Sequence, residues 1–205
     1  MNNRVGIIDY GMGNLKSVAN ACLALGAKAN IVNTPEALSG EDCIILPGVG
    51  AFGDGMNNLR KQGWIDALEE EVRVKKKPFL GLCLGMQLLA TTSSEHGEHQ
   101  GFNWIKGIVE RIPNLSVRVP HIGWNEVRIV KKEGLYDGLG DKQSFYFVHS
   151  YMFKPEDFSV VSGICSHGMD FAASIEIGNI YATQFHPEKS HKIGLAVLKN
   201  FLNKA

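Results

Sequence analysis

Neither sign of charge is in excess, with 21 Lys and Arg against 21 Asp and Glu in 205 residues. No overall field therefore draws the chain to nucleic acid or to an anionic membrane. Long apolar runs are missing too, and no stretch approaches the roughly 20 residues that span a bilayer. Met-Asn-Asn-Arg and the short apolar run after it are too brief for a secretory signal. Cysteine is scarce: Cys22, Cys43, Cys83 and Cys165 lie far apart and form no Cys-x-x-Cys pair. That argues against a disulfide framework or a zinc site and for reduced thiols in a cytoplasmic protein. Repeats, low-complexity tracts and linkers are absent, so residues 1–205 read as one domain. What remains is 44% hydrophobic and 20% charged, a composition that supports a large core.

The first half alternates apolar runs with helical periodicity. Val5-Gly6-Ile7-Ile8 is a short buried strand, followed by Leu15, Val18, Ala19, Cys22 and Leu23 at helical spacing, with Gly26 as the stop. Cys43-Ile44-Ile45-Leu46 is a second strand, broken by Pro47-Gly48. A helix is expected around residues 64–75, with Ile65, Leu68 and Val72 inward and Glu69 to Glu71 solvated. Phe79-Leu80-Gly81-Leu82 is a third strand that runs into Cys83 and a helical pattern at Met86-Gln87-Leu88-Leu89. Such alternation predicts a parallel sheet covered on both faces. From about residue 105 the strong segments are strand-like, at 107–112, 126–130, 145–148, 160–165, 171–177 and 180–185. They predict antiparallel strands extending or flanking the sheet, before a last helix at 193–202.

Two glycine loops need weighing. Gly48-Val49-Gly50-Ala51-Phe52-Gly53 matches the dinucleotide fingerprint, but the strand after it ends in Cys83 instead of the acidic residue that would hold a ribose. The acidic run Glu69–Glu71 falls inside a helix, and Pro47 alters how the chain leaves its strand. Gly11-Met12-Gly13 fails because Lys16 stands where the third glycine belongs. The Gly48–Gly50 loop either offers backbone N–H groups to an oxyanion or simply shapes a turn.

Gly81-Leu82-Cys83-Leu84-Gly85 is the thiol counterpart of a nucleophile elbow. Flanking glycines permit a sharp strand-to-helix turn, a helix N-terminus favours thiolate, and the Leu84 N–H points to where an oxyanion forms. Taken alone, Cys83 is equally a buried apolar thiol. His186-Pro187-Glu188 tips the balance, because an extended backbone places residues i and i+2 on one face, a base beside its orienting carboxylate. Pro187 marks the end of the 180–185 strand. His96 and His99 lie in a polar loop without further ligands at metal spacing, and His167 and His191 read as surface positions.

These segments, in this order along the whole chain, resemble the class I glutamine amidotransferase family. The resemblance is carried by Asp9-Tyr10-Gly11-Met12-Gly13-Asn14-Leu15, Leu46-Pro47-Gly48-Val49-Gly50, the Cys83 turn, Pro120-His121-Ile122-Gly123-Trp124-Asn125, the segment 145–151 and Gln184-Phe185-His186-Pro187-Glu188. The elbow and His-Pro-Glu belong to the broad family. The Pro-Gly-Val-Gly, Gly-Trp-Asn and Phe-Val-His-Ser-Tyr segments are most similar to those of glutaminase subunits of imidazole glycerol phosphate synthases in histidine biosynthesis. The resemblance implies an α/β, three-layer, flavodoxin-like fold, with a central mostly parallel sheet and an antiparallel extension. It implies Cys83, His186 and Glu188 as the catalytic set, and an oxyanion site from Leu84 with Val49 or Gly50. Gln87, Glu95, His149, Ser150 and Tyr151 would recognise L-glutamine, and no cofactor or metal is called for. Asn14, Trp124 and Lys189 would face a (β/α)₈-barrel cyclase in a heterodimer that receives the ammonia. A paralogue supplying ammonia for amidination of a surface-polysaccharide sugar would carry the same triad. A cysteine hydrolase of the DJ-1/PfpI type commonly has His directly after its Cys, where this chain has Leu84.

Overall fold

The computed structural model describes residues 3–113 and 117–205. In chain order, β1 (Arg4–Ile8), α1 (Leu15–Ala24), β2 (Lys28–Val32), β3 (Cys43–Gly48), α2 (Phe52–Lys61) and α3 (Trp64–Leu68) come first. A π-helical segment, Glu69–Val74, continues α3 and leads to β4 (Phe79–Cys83) and the single turn α4 (Leu84–Gln87). Then come β5 (Thr92–Ser93), β6 (His99–Gln100), β7 (Gly107–Arg111), β8 (His121–Ile129), β9 (Lys142–His149) and β10 (Tyr151–Pro155). β11 (Val161–Ser166), β12 (Asp170–Ile177), β13 (Ile180–Thr183) and α5 (His191–Leu202) complete the order.

Among the described residues the main sheet runs β2-β1-β3-β4-β13-β12-β11-β8-β9. The pairings from β2 to β13 are parallel and those from β13 to β9 antiparallel, so β13 is the seam between the halves. β1, β3 and β4 are near-continuous apolar runs because helices cover both faces. Alternation sends Ile7, Ile45 and Leu80 towards α1 and α5, and Ile8, Ile44, Leu46 and Phe79 towards α2 to α4. Each such fully buried side chain contributes about 1.5–3 kcal/mol. The expected final helix and the β12–β13 hairpin are present, the latter turning at Gly178-Asn179 with Gly178 at φ 58°.

Several elements differ from expectation. β2 escaped the pattern because only Val32 along it is buried; an edge strand is held by pairing to β1 more than by burial. α2 escaped because Gly53 and Gly55 depress helix propensity. Space demands both: a Cβ on Gly53 would strike the His99 ring, and one on Gly55 would press on Leu84 and Leu88. Leu23 lies on the outer side of α1 at 53% exposure. Glu71 is buried, not solvated, and bridges Lys75 at 2.8 Å and Lys77 at 2.7 Å. The 107–112 segment joins a separate four-stranded sheet, β10-β7-β5-β6, in which β10 was not anticipated and β5 and β6 lie in what was expected to be a polar loop. Among the described residues no helix is long and apolar enough to cross a membrane.

Candidate active site

The site forms where the parallel strands end. Pairing of β3 with β4 sets Gly48 directly opposite Cys83, so the glycine loop leaves the sheet beside the thiol. Cys83 sits at φ 53°, ψ −105°, a strained conformation for a residue with a Cβ. The flanking glycines are obligatory: a Cβ on Gly81 would collide with the Gly85 carbonyl, and one on Gly85 with the Leu46 carbonyl. The helix beyond is a single turn, much shorter than the expected run through Leu89, so its dipole contributes little to the thiol.

His186 and Glu188 meet, but not on an extended strand. β13 ends at Thr183, and Pro187 opens a 3-10 turn, Pro187–Lys189. That turn brings His186 Nδ1 to 2.8 Å from Glu188 Oε1, with the two side chains 4% and 2% exposed. A carboxylate only accepts, so Nδ1 carries hydrogen and Nε2 is left for proton exchange. Nε2 is buried without a hydrogen-bond partner, as is Glu188 Oε2. Burial pushes the His186 imidazolium down, but Cys83 and Glu188 outweigh it and hold it up, to about 9. The backbone is stapled to β9: His186 N–H donates to Tyr146 O at 2.9 Å, Tyr146 N–H to Ser190 Oγ at 3.0 Å, and Ser190 Oγ–H to His186 O at 2.7 Å.

A cavity of about 280 Å³ opens over the sulfur. Its lining brings together every substrate-side residue read from the sequence: Val49, Gly50, Cys83, Leu84, Gln87, Glu95, His149, Ser150 and Tyr151. Pro120 and Val148 join them. Among the described residues no turn or loop bond engages the N–H groups of Val49 and Gly50, while the β3–β4 register sets Leu84 N–H beside the Gly48 carbonyl. Glu95 Oε2 accepts from Phe52 N–H at 2.7 Å, which ties the acidic wall of the cavity to the start of α2.

A family profile described as "Glutamine amidotransferase class-I" matches residues 6–205. The chain belongs to this family. In the curated relatives, "Imidazole glycerol phosphate synthase subunit HisH" of Aquifex aeolicus is 48% identical over 203 residues, 98% of this chain and 97% of that protein. The protein of the same name from Moorella thermoacetica is 46% identical over 197 residues, 96% and 93% of the two chains. Among solved structures, "Structure of PurLQS from Thermotoga maritima" superposes with a TM-score of 0.79 at 18% identity, covering 100% and 99% of the two chains. "Crystal structure of glutamine amidotransferase" gives 0.76 at 23% identity, covering 97% of each. At that identity these two carry the fold alone, and it is the amidotransferase fold expected from the motifs.

The amidotransferase cavity has a second layer that the motifs did not expose. Gln87 Nε2 donates to Tyr151 O and to Gln184 Oε1, both at 2.9 Å, and Gln184 Nε2 faces Cys83 Sγ at 3.6 Å. Tyr151 O also accepts from His149 Nδ1 at 2.8 Å. His149 Nε2 therefore accepts from His121 Nδ1 at 2.9 Å, and His121 Nε2 from Asn125 Nδ2 at 3.1 Å. His121 is stacked on Phe147 and on His167, so His167 is part of this layer and not a bare surface residue. Burial, then the neighbouring His167, hold His121 down to about 4. For His149 burial is again foremost; its bond to Tyr151 opposes, nearby imidazoles add, and the result is about 3. Both rings are neutral at neutral pH. Tyr10 Oη, buried without a partner, is pushed up by burial and then by Cys83. Adjacent buried amides and imidazoles in the Gln184–Glu188 and 145–151 segments were the available signal for this layer.

Asn14, Trp124 and Lys189 lie outside the cavity. Asn14 is exposed at the start of α1, and Lys189 sits in the Pro187–Lys189 turn, next to Glu188. Trp124 is 48% exposed on β8 and stacks on His191 with ring centroids 5.0 Å apart, which ties it to the start of α5.

Proposed function

We propose that this chain, one domain of residues 1–205, is the glutaminase subunit of an imidazole glycerol phosphate synthase, acting in the cytoplasm without a cofactor. The observation that carries the reading is the cavity over the elbow thiol, with the carboxylate-oriented imidazole of His186 buried next to that thiol. Relatives of that name at 46–48% identity over nearly the whole chain supply the pathway. Glutamine enters with its side-chain amide over Cys83. Glu95, Gln87, His149, Ser150 and Tyr151 line the part of the cavity that receives the amino-acid head group.

The thiolate attacks the amide carbon, and the carbonyl oxygen takes up negative charge against the N–H groups of Leu84 and of Val49 or Gly50. His186, protonated and oriented by Glu188, gives its Nε2 proton to the departing nitrogen, which leaves as ammonia. The neutral imidazole then takes a proton from water, whose oxygen attacks the glutamyl thioester. Collapse releases glutamate and restores the thiolate–imidazolium pair.

Ammonia set free in water becomes ammonium, which is not a nucleophile, so it must pass to its acceptor through an enclosed route. A (β/α)₈-barrel cyclase docks as the partner, with Asn14, Trp124 and Lys189 on the docking side. The test is Cys83→Ala in the complex with a barrel cyclase. Glutamine-dependent synthesis is abolished, while synthesis from added ammonium salt survives. Persisting glutamine turnover sinks the nucleophile assignment.

A further inference from the structure

Gln184 is fully buried, and the chemistry above gives it no part. Its amide has two chemically different ends, and the surrounding hydrogen bonds decide which end meets the sulfur. The Tyr151 carbonyl can only accept. It takes hydrogens from His149 Nδ1 and from Gln87, so the Gln87 atom beside it is the nitrogen. The second hydrogen of that nitrogen points at Gln184, whose facing atom must then be Oε1. The opposite end of the Gln184 amide, Nε2–H, is thereby turned onto Cys83 Sγ at 3.6 Å. The sulfur also has the Val148 carbonyl at 3.9 Å, an acceptor suited to the protonated thiol. The sulfur thus has one partner for each protonation state.

We propose that Gln184 is a catalytic residue whose side-chain N–H donates to the Cys83 thiolate, and that Gln87 is the positioning residue holding the amide in that sense. A hydrogen bond to an ionised acceptor is stronger than one between neutral groups, so the interaction favours the thiolate over the thiol. It also explains why a fully buried amide is retained beside the sulfur, where an unpartnered polar group would be costly. Gln87 lines the cavity and acts on both sides: towards the head group of the substrate and, through Gln184, towards the nucleophile. The inference rests on Cys83 being the nucleophile, and its test is separable from that reading.

The measurement is the rate of alkylation of Cys83 by iodoacetamide at fixed neutral pH, with the labelled peptide mapped. Cys22, Cys43 and Cys165 are buried, and burial holds each up at about 12, so they do not compete. Gln184→Met slows alkylation by about tenfold, the lower end for a bond to a charged group. Gln184→Glu, which puts a carboxylate against the sulfur, slows it further. Gln87→Met lets the amide turn over and slows it by a few-fold. If Gln184 only shaped the pocket, KM for glutamine would rise with alkylation unchanged, and that result overturns the proposal. Should Gln184→Met not fold, the isosteric Gln184→Glu decides: alkylation at the wild-type rate overturns the assignment. Loss of glutamine turnover in Cys83→Ala alongside wild-type alkylation in the Gln184 variants would leave the nucleophile standing and remove only Gln184.

Discussion

Glu188→Gln removes one charge from the proposed catalytic set and nearly nothing else. The side chain keeps its volume and its place in the Pro187–Lys189 turn, but Nδ1 of His186 loses a carboxylate partner at 2.8 Å. In the native site the imidazolium is held up to about 9 against burial, by Cys83 and Glu188 together. Without the carboxylate only Cys83 opposes burial, so the imidazolium is held up less and the ring loses its proton, which the proposed mechanism gives to the leaving nitrogen, at lower pH. The lost charge-assisted bond is worth about 1.5–3 kcal/mol, which converts to about 10- to 150-fold in kcat/KM for glutamine. The assay is glutamate formation in the partner complex from pH 6 to 10. The variant should show that loss together with an alkaline limb moved to lower pH. Stability follows with a definite sign. His186 has a folded-state value above the unfolded one of about 6.5, so its contribution is complete below that pH and fades as pH rises towards 9. Urea midpoints of native and variant chains should differ most near pH 6 and converge above 9. Activity within threefold of native, with an unmoved alkaline limb, would refute this account of Glu188.

Gly85→Ala places a Cβ on the Leu46 carbonyl, so a backbone segment must shift; a cost of about 1–3 kcal/mol is expected in urea unfolding, with glutaminase activity lost because Leu84 N–H moves. His121 and His149 are held neutral in the fold, at about 4 and about 3, and below the unfolded value of about 6.5 the unfolded chain binds the extra protons. Stability should therefore fall as pH drops from about 6.5 towards 4, by up to about 1.4 kcal/mol per pH unit for each ring. A flat profile over that window would contradict the neutral histidine pair, and His121→Phe should reduce the slope.

Local pattern revealed what depends on local pattern. The apolar runs of β1, β3 and β4, the glycines around Cys83 and the closely spaced His186 and Glu188 all announce themselves within a few residues. Contacts across long separations did not. Gln184 meets Gln87 from 97 residues away, and His121 meets His149 from 28, so neither pair is visible as a motif. α2 was hidden by glycines that are there for packing, and β2 by an edge position that needs few apolar residues. The His-Pro-Glu reading reached the right pairing by the wrong backbone, because Pro187 starts a turn as readily as it ends a strand.

The seam position of β13 delays closure of the sheet during synthesis. This strand inserts between β4 and β12, and the residues just beyond it supply the imidazole and carboxylate. During synthesis β4 is made about a hundred residues before its neighbour, so one flank of the strand carrying Cys83 waits unpaired, its side chains apolar on both faces. A nascent chain that has not reached His186 holds a thiol with no base and no closed pocket. On the proposed mechanism the thiol therefore gains its base only after the chain has been made past Glu188 and β13 has paired with β4.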